Sequence, residues 1–354
     1  MTLDSSEKNG IKCETRDEIR KKTEAIEDKT LSKWAVFSKN CKKRKIFEEE
    51  CPIRTSFQCD RDRIIHSKSF RRLKHKTQVF ICPEGDHYRT RLTHTLEVAG
   101  ISRTVSRALR LNEDLTEAIA MGHDLGHTPF GHAGEEILNN IYSGGFKHYQ
   151  QSVRVADVLE KDGRGLNLTE EVLDGILNHT KGTLPKTLEG QVVRICDKIA
   201  YINHDIDDAV RAGVIKTEDI PANFLEIVGK SCSERVNVMV TSLIENTKEN
   251  EIKMAPDVET AFFQMHKFMY DKVYLSEVAK SEEKKAVYIV EWLYKYFKEN
   301  NQKLPEDIKE VCKRESLDRG VCDYIAGMTD DFAIKLFKDL FIPKPWKGIS
   351  AFGR

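Results

Sequence analysis

The chain has nine cysteines, an odd number, at irregular spacing and with no Cys-x-x-Cys pair. That excludes a regular disulfide framework and a cysteine-closed zinc knuckle, and fits reduced thiols in a cytoplasmic protein. No uninterrupted apolar run approaches the roughly 18 residues of a membrane span. The opening MTLDSSEKNGIKCETRDE is polar and lacks the apolar core of a secretion signal. Net charge is absent as well: Lys+Arg and Asp+Glu both number 57, whereas a protein built to coat nucleic acid is usually basic overall. A local basic site for a phosphate-bearing ligand stays open. There is no internal repeat and no low-complexity tract.

What the chain does have is helical periodicity. With 354 residues it has ample core for one large domain or two modest ones. Residues 1–50 read as a charged N-terminal arm with a basic knot, KNCKKRK (39–45), followed by three glutamates. From Asp60 to Lys76 the pattern is helical, and TQVFICPEGDHY (77–88) reads as β-rich up to Pro83 and then a turn, hence a short β-hairpin near 77–90. Helices are then expected at 91–110, 114–124, 129–141, 150–161, 169–179 and 188–211, with five or six more to residue 340. Breakers such as GHTP, SGG, KDGRG, KGTLP and RAG separate them. The expected class is all-α: a helical core over 51–225 and a C-terminal helical region over 226–354.

The stretch HDLGHTPFGHAGE (123–135) places three histidines, an aspartate and a glutamate in thirteen positions, broken by glycines and a proline. A helix that only filled a core would avoid that mixture. His94 shares the inward stripe of Val98, Ile101 and Val105. His123 shares a face with Leu115 and Ile119, and Asp124 adjoins it at the helix end. Over 192–210, Ile195, Ile199, Ile202 and Ile206 form one stripe and Asp197, Tyr201, Asp205 and Asp208 a second. Each feature has a bland alternative. A histidine on an apolar face is commonly a hydrogen-bonded core residue, and a stripe of acids can simply face solvent. Isoleucines so dense, however, argue for a helix buried on most sides, whose aspartates need partners. Two imidazoles and two carboxylates suit a divalent ion with open positions: Mn²⁺ first, or Fe²⁺, Co²⁺, Ni²⁺, Zn²⁺ or Mg²⁺. Gly126 reads as a helix stop and Thr128-Pro129 as the N-cap and first position of the next helix. That puts His132 and Glu135 side by side at i, i+3.

The order His94, His123-Asp124, Asp197 resembles the H…HD…D signature of HD-domain phosphohydrolases. The surrounding text narrows the likeness: DRDRIIHSKSFRRLKHKTQVF (60–80), EGDHYRTRLTHTLEVAGISR (84–103), MGHDLGHTPFGHAGE (121–135), GLNLTEEVLDGILNHT (165–180) and LEGQVVRICDKIAYINHDIDDAVRAG (188–213) are similar to the dGTP triphosphohydrolase-like family. RGVCDYIAGMTDDFAIKLFKDLFIP (319–343) resembles it more weakly. The resemblance implies a helical, homo-oligomeric, metal-dependent enzyme that converts a dNTP to deoxynucleoside and inorganic triphosphate by attack of metal-activated water on the α-phosphorus. It makes His94, His123, Asp124 and Asp197 the metal ligands and assigns His132 and Glu135 to catalysis, with Glu135 holding the imidazole that handles the proton. His127 and His148 would contact phosphates. Arg91 and Lys198 would bind phosphate oxygens, and Tyr201 and Asp205 the sugar, Tyr201 packing where a ribose 2′-hydroxyl would clash. His179 is expected in the core or behind the ligands. The alternatives are another HD-class reaction, such as nucleoside monophosphate or ppGpp hydrolysis, or a non-catalytic nucleotide- or single-strand-binding protein. A second dNTP as activator and single-stranded DNA at the 39–45 knot are further partners to test; no membrane is expected.

Overall fold

The computed structural model describes residues 16–41, 44–78, 88–180 and 182–344. Among the described residues the chain is helical and has no strand, as the all-α reading requires. Of the hairpin expected near 77–90, one antiparallel bridge between Thr77 and Thr90 is seen; residues 79–87 lie outside the described residues.

Local chemistry starts the helices that matter. Thr90 and Thr93 form a capping box at the head of the Arg91–Ala108 helix. Asn112 accepts the Asp114 and Leu115 amides at the head of the Glu113–Gly122 helix, and its own amide group donates to the Val36 carbonyl at 2.8 Å. Thr187 caps the 24-residue Leu188–Arg211 helix by accepting Gly190 N–H. Such caps are each worth about 1 kcal/mol.

These helices pack by their apolar stripes. Val98, Val105, Leu115, Ile119, Ile199 and Ile202 are fully buried. The acidic stripe of the Leu188–Arg211 helix is buried too: Asp197, Asp205 and Asp208 all face inward. The C-terminal helices do not form a core of their own. Residues 220–273 complete the cluster that contains Val192, Ile199 and Ile206. Residues 286–333 pack on Phe130, Leu138 and Phe146 from the middle of the chain. In the basic knot, Lys39 pairs with Asp28, Arg44 with Asp60 and Lys45 with Asp157; Lys42 and Lys43 lie outside the described residues.

Candidate active site

Three helices bring polar side chains to one buried point. His94 projects from the first turn of the Arg91–Ala108 helix, His123 and Asp124 follow the Glu113–Gly122 helix, and Asp197 lies in the Leu188–Arg211 helix. All four are buried. His94 Nε2 stands 3.0 Å from Asp197 Oδ1. His123 Nε2 stands 3.7 Å from Asp124 Oδ1 and 3.8 Å from Asp197 Oδ1.

The donor chemistry fits a cation. His123 Nδ1 faces the Ala120 carbonyl at 2.6 Å; a carbonyl only accepts, so Nδ1 donates a ring proton and Nε2 is the nitrogen left to ligate. That Nε2 is buried without a hydrogen-bond partner. It faces two carboxylate oxygens at 3.7 and 3.8 Å, an arrangement that a divalent ion between them would satisfy. His94, His123 and Asp124 offer ligand atoms within 4.8 Å of one another. Burial alone would push Asp124 up, but Arg91 and the neighbouring histidines hold it well below the usual carboxylate range. Asp197 is likewise lowered against its burial by the His94 contact. Both are anionic, as ligands must be.

The turn after His123 departs from the sequence expectation. The next helix begins at Gly131, not at Pro129, and its N-cap is Phe130 in the left-handed region at φ 61°. Thr128 does not cap; its hydroxyl donates to the Gly131 carbonyl at 2.9 Å. Gly126 is required by close approach, because an added Cβ would lie 2.1 Å from the Ser152 backbone nitrogen. Ser152 Oγ accepts from Gly126 N–H at 2.9 Å and donates to the His123 carbonyl at 2.7 Å. This pair of hydrogen bonds ties the His148–Arg154 helix to the turn that follows His123.

That tie delivers His148. Its Nδ1 lies 2.8 Å from Glu135 Oε2, and its backbone N–H donates to Oε1 at 3.1 Å. His132, by contrast, is 3.6 Å from the same carboxylate and its side chain is 83% exposed. The couple expected between His132 and Glu135 is thus a looser contact, and Glu135 is engaged chiefly by His148. Against burial, these histidines hold Glu135 far below the usual carboxylate range. His148 stacks on His127 with centroids 4.4 Å apart, and Tyr149 packs edge-on to it at 5.6 Å. Burial, reinforced by Arg91 and His148, keeps His127 neutral.

His179, expected behind the ligands, is part of the same histidine cluster. Its ring is 5.1 Å from that of His123 and 5.4 Å from that of His148. Its Nδ1 contacts the Ile176 carbonyl at 2.7 Å, and burial drives its pKa down to about 3. Its place on the Val172 and Ile176 stripe agrees with that burial, and the fold brings its ring up to those of His123 and His148.

Arg91 donates to Asp124 Oδ2 at 2.8 Å, so one arm of the guanidinium is committed to that carboxylate. Lys198, one residue beyond Asp197, is half-buried, and burial with Arg194 nearby lowers its pKa. Tyr274, from the C-terminal region, donates to Asp205 Oδ2 at 2.5 Å. Burial pushes Asp205 up to about 7. Tyr201 adjoins His266 with ring centroids 6.1 Å apart. Tyr274 and His266 were not legible as site neighbours, since nothing in their local pattern points to residue 205 or 201.

Helices carrying His, His-Asp and Asp around one buried point define an HD-domain phosphohydrolase. Residues 91–202 match the HD domain family, and residues 252–339 match the phosphohydrolase-associated domain. The chain is 57% identical over 93% of its length to a deoxyguanosinetriphosphate triphosphohydrolase-like protein of Caldanaerobacter subterraneus subsp. tengcongensis, covering 97% of that protein. A protein of the same name from Clostridium perfringens is 52% identical over 92% of this chain and 98% of its own. One from Leptospira interrogans is 38% identical over 92% and 99% respectively. The chain belongs to the deoxyguanosinetriphosphate triphosphohydrolase-like family. Among solved structures, a hypothetical protein from Aquifex aeolicus aligns with a TM-score of 0.49 at 20% identity, over 80% of this chain and 68% of that one. No helix among the described residues is long and apolar enough to cross a membrane.

Proposed function

We propose that the protein hydrolyses deoxynucleoside triphosphates, dGTP among them, to the deoxynucleoside and inorganic triphosphate. The observation that carries this reading is a buried His94, His123, Asp124, Asp197 ligand set beside a Glu135–His148 couple at 2.8 Å. A divalent ion, Mn²⁺ first among those that suit these ligands, supplies Lewis acidity and lowers the pKa of water when bound.

The chain's own residues do the rest. Water attacks the α-phosphorus and the bond from phosphorus to the 5′ oxygen breaks. The leaving oxygen needs a proton. His148 is the donor this geometry favours, because Glu135 fixes its Nδ1 and so leaves Nε2 to face the substrate. His127, stacked on it and held neutral, hydrogen-bonds a phosphate oxygen. His132, at the exposed edge, reaches the outer phosphates. Lys198 adds positive charge next to Asp197, while Arg91 orients Asp124 and turns its remaining N–H groups to phosphate. Asp205, positioned by Tyr274, accepts from the 3′-hydroxyl, and Tyr201 packs against C2′.

The test is product identification with Mn²⁺, the four dNTPs and GTP in ¹⁸O-labelled water. Deoxynucleoside and triphosphate, with the label in the triphosphate, are expected, and GTP is expected to be refused. Formation of dNMP and pyrophosphate, or label in the nucleoside, overturns the reading.

A further inference from the structure

The loop between His127 and His132 is held only in part by its own neighbours: Thr128 Oγ1 donates to the Gly131 carbonyl, but the Phe130 amide finds its acceptor two hundred residues away. Phe130 and Gly131 are consecutive left-handed residues, at φ 61° and 56°. Phe130 has a Cβ and is costly to keep there unless its surroundings fix it. An added Cβ on Gly131 would stand 3.3 Å from Arg91 Nη2, so the loop is pressed onto the arginine that orients Asp124.

What fixes this loop comes from the far end of the chain. Asp330, buried at the start of the Asp330–Phe341 helix, accepts Phe130 N–H at 3.0 Å on Oδ1. On Oδ2 it accepts Thr77 N–H at 3.1 Å and the Thr77 hydroxyl at 2.6 Å. Lys76, also buried, donates from Nζ to the His127 carbonyl and to the Ala326 carbonyl at 2.9 Å. Its own carbonyl accepts Arg91 N–H at 3.0 Å, at the head of the helix that carries His94. Packing alone does not lock the joint. A cavity of about 470 Å³ lies behind it, lined in part by Lys76, Leu125, Gly126, Ala326 and Phe332. Polar contacts on this side therefore join the loop to the C-terminal region, beside the apolar packing of the Phe130 ring.

We infer that Lys76 and Asp330 are positioning residues, through which the phosphohydrolase-associated region sets the His127–His132 loop for the reaction. This gives that region a chemical task in the HD site. It rests on the reading above that His127 and His132 meet the substrate's phosphates.

The experiment compares wild type, Asp330→Ala, Asp330→Asn and Lys76→Met in the full chain loaded with Mn²⁺. Amide exchange of the 127–132 segment, bound Mn²⁺, and kcat and KM for dGTP are measured. In Asp330→Ala exchange should rise about tenfold or more, and kcat should fall about ten- to a hundredfold. KM should rise several-fold, because the displaced loop carries His132, and bound Mn²⁺ should not change. Asp330→Asn, which keeps one acceptor oxygen, should fall between. Lys76→Met should follow Asp330→Ala. If either strong variant does not fold, Thr77→Val removes only one donor to Asp330 and should show the same split at smaller amplitude. Unchanged exchange, or faster exchange with kcat untouched, overturns the inference. A wild type inactive on every dNTP overturns the functional reading instead, and the exchange data then decide the joint by themselves.

Discussion

Replacing Glu135 by Gln keeps size and an acceptor oxygen but removes the charge that faces His148. The carboxylate receives two bonds from that residue, at 2.8 Å from Nδ1 and 3.1 Å from the backbone. A hydrogen bond to a charged group is worth about 1.5–3 kcal/mol. If that energy is what holds the ring oriented for proton transfer, kcat falls about ten- to a hundred-and-fifty-fold. His148→Ala removes the donor outright and should cost about 10²–10⁴. The informative variant is the double one. Glu135 acts through His148, so Glu135→Gln/His148→Ala should be about as slow as His148→Ala alone. The assay is steady-state dGTP hydrolysis at saturating Mn²⁺, with melting curves to confirm folding. His132→Ala serves as control. Its side chain is 83% exposed and 3.6 Å from Glu135, so its loss should raise KM more than it lowers kcat. Wild-type kcat in Glu135→Gln, or losses that multiply in the double variant, would refute the couple. A collapse of kcat in His132→Ala with normal turnover in His148→Ala would transfer the proton to His132.

Gly126→Ala would place a Cβ 2.1 Å from the Ser152 nitrogen, so soluble yield and activity should both be lost, as checked by expression and gel filtration. Asn112→Ala removes a cap that accepts two amides; at about 1–2 kcal/mol it should lower Tm by a few degrees while activity per folded molecule survives. Glu189, buried and pushed by burial from 4.5 to about 7 while the Asn112 and Val36 amides pull it down, gives a pH signature. A carboxyl raised in the folded state binds its proton more tightly folded than unfolded, so its stabilising contribution is present at low pH and is lost as pH rises from about 4.5 through about 7. The amplitude is on the order of 3 kcal/mol, and Tm measured between pH 5 and 8 should fall less steeply in Glu189→Gln than in wild type.

Much of the fold was legible because the helices are amphipathic and capped. The segment expected at 188–211 is the Leu188–Arg211 helix, and that expected at 91–110 is Arg91–Ala108. The isoleucine stripe of the former correctly implied that its aspartates are buried. The four proposed ligands were readable as candidates because His94 and His123 share apolar faces, Asp124 adjoins a helix end and Asp197 lies on an acidic stripe of a helix too apolar to face solvent. What failed was local inference across the 123–135 turn. Thr128-Pro129 has the composition of a helix start, yet Phe130 takes the left-handed cap position because Asp330, two hundred residues on, binds its amide. Spacing pairs Glu135 with His132, but tertiary structure brings His148 closer to the same carboxylate. Lys76 carried no sequence signal, since it acts through contacts with residues distant in the chain.

The most direct measurement is an anomalous difference map of crystals grown with Mn²⁺, recorded at the manganese edge. The account predicts one strong peak per chain, within bonding distance of His94 Nε2, His123 Nε2 and carboxylate oxygens of Asp124 and Asp197. A peak held instead by His127, His132 and Glu135, or no peak near His123 at saturating Mn²⁺, would contradict it.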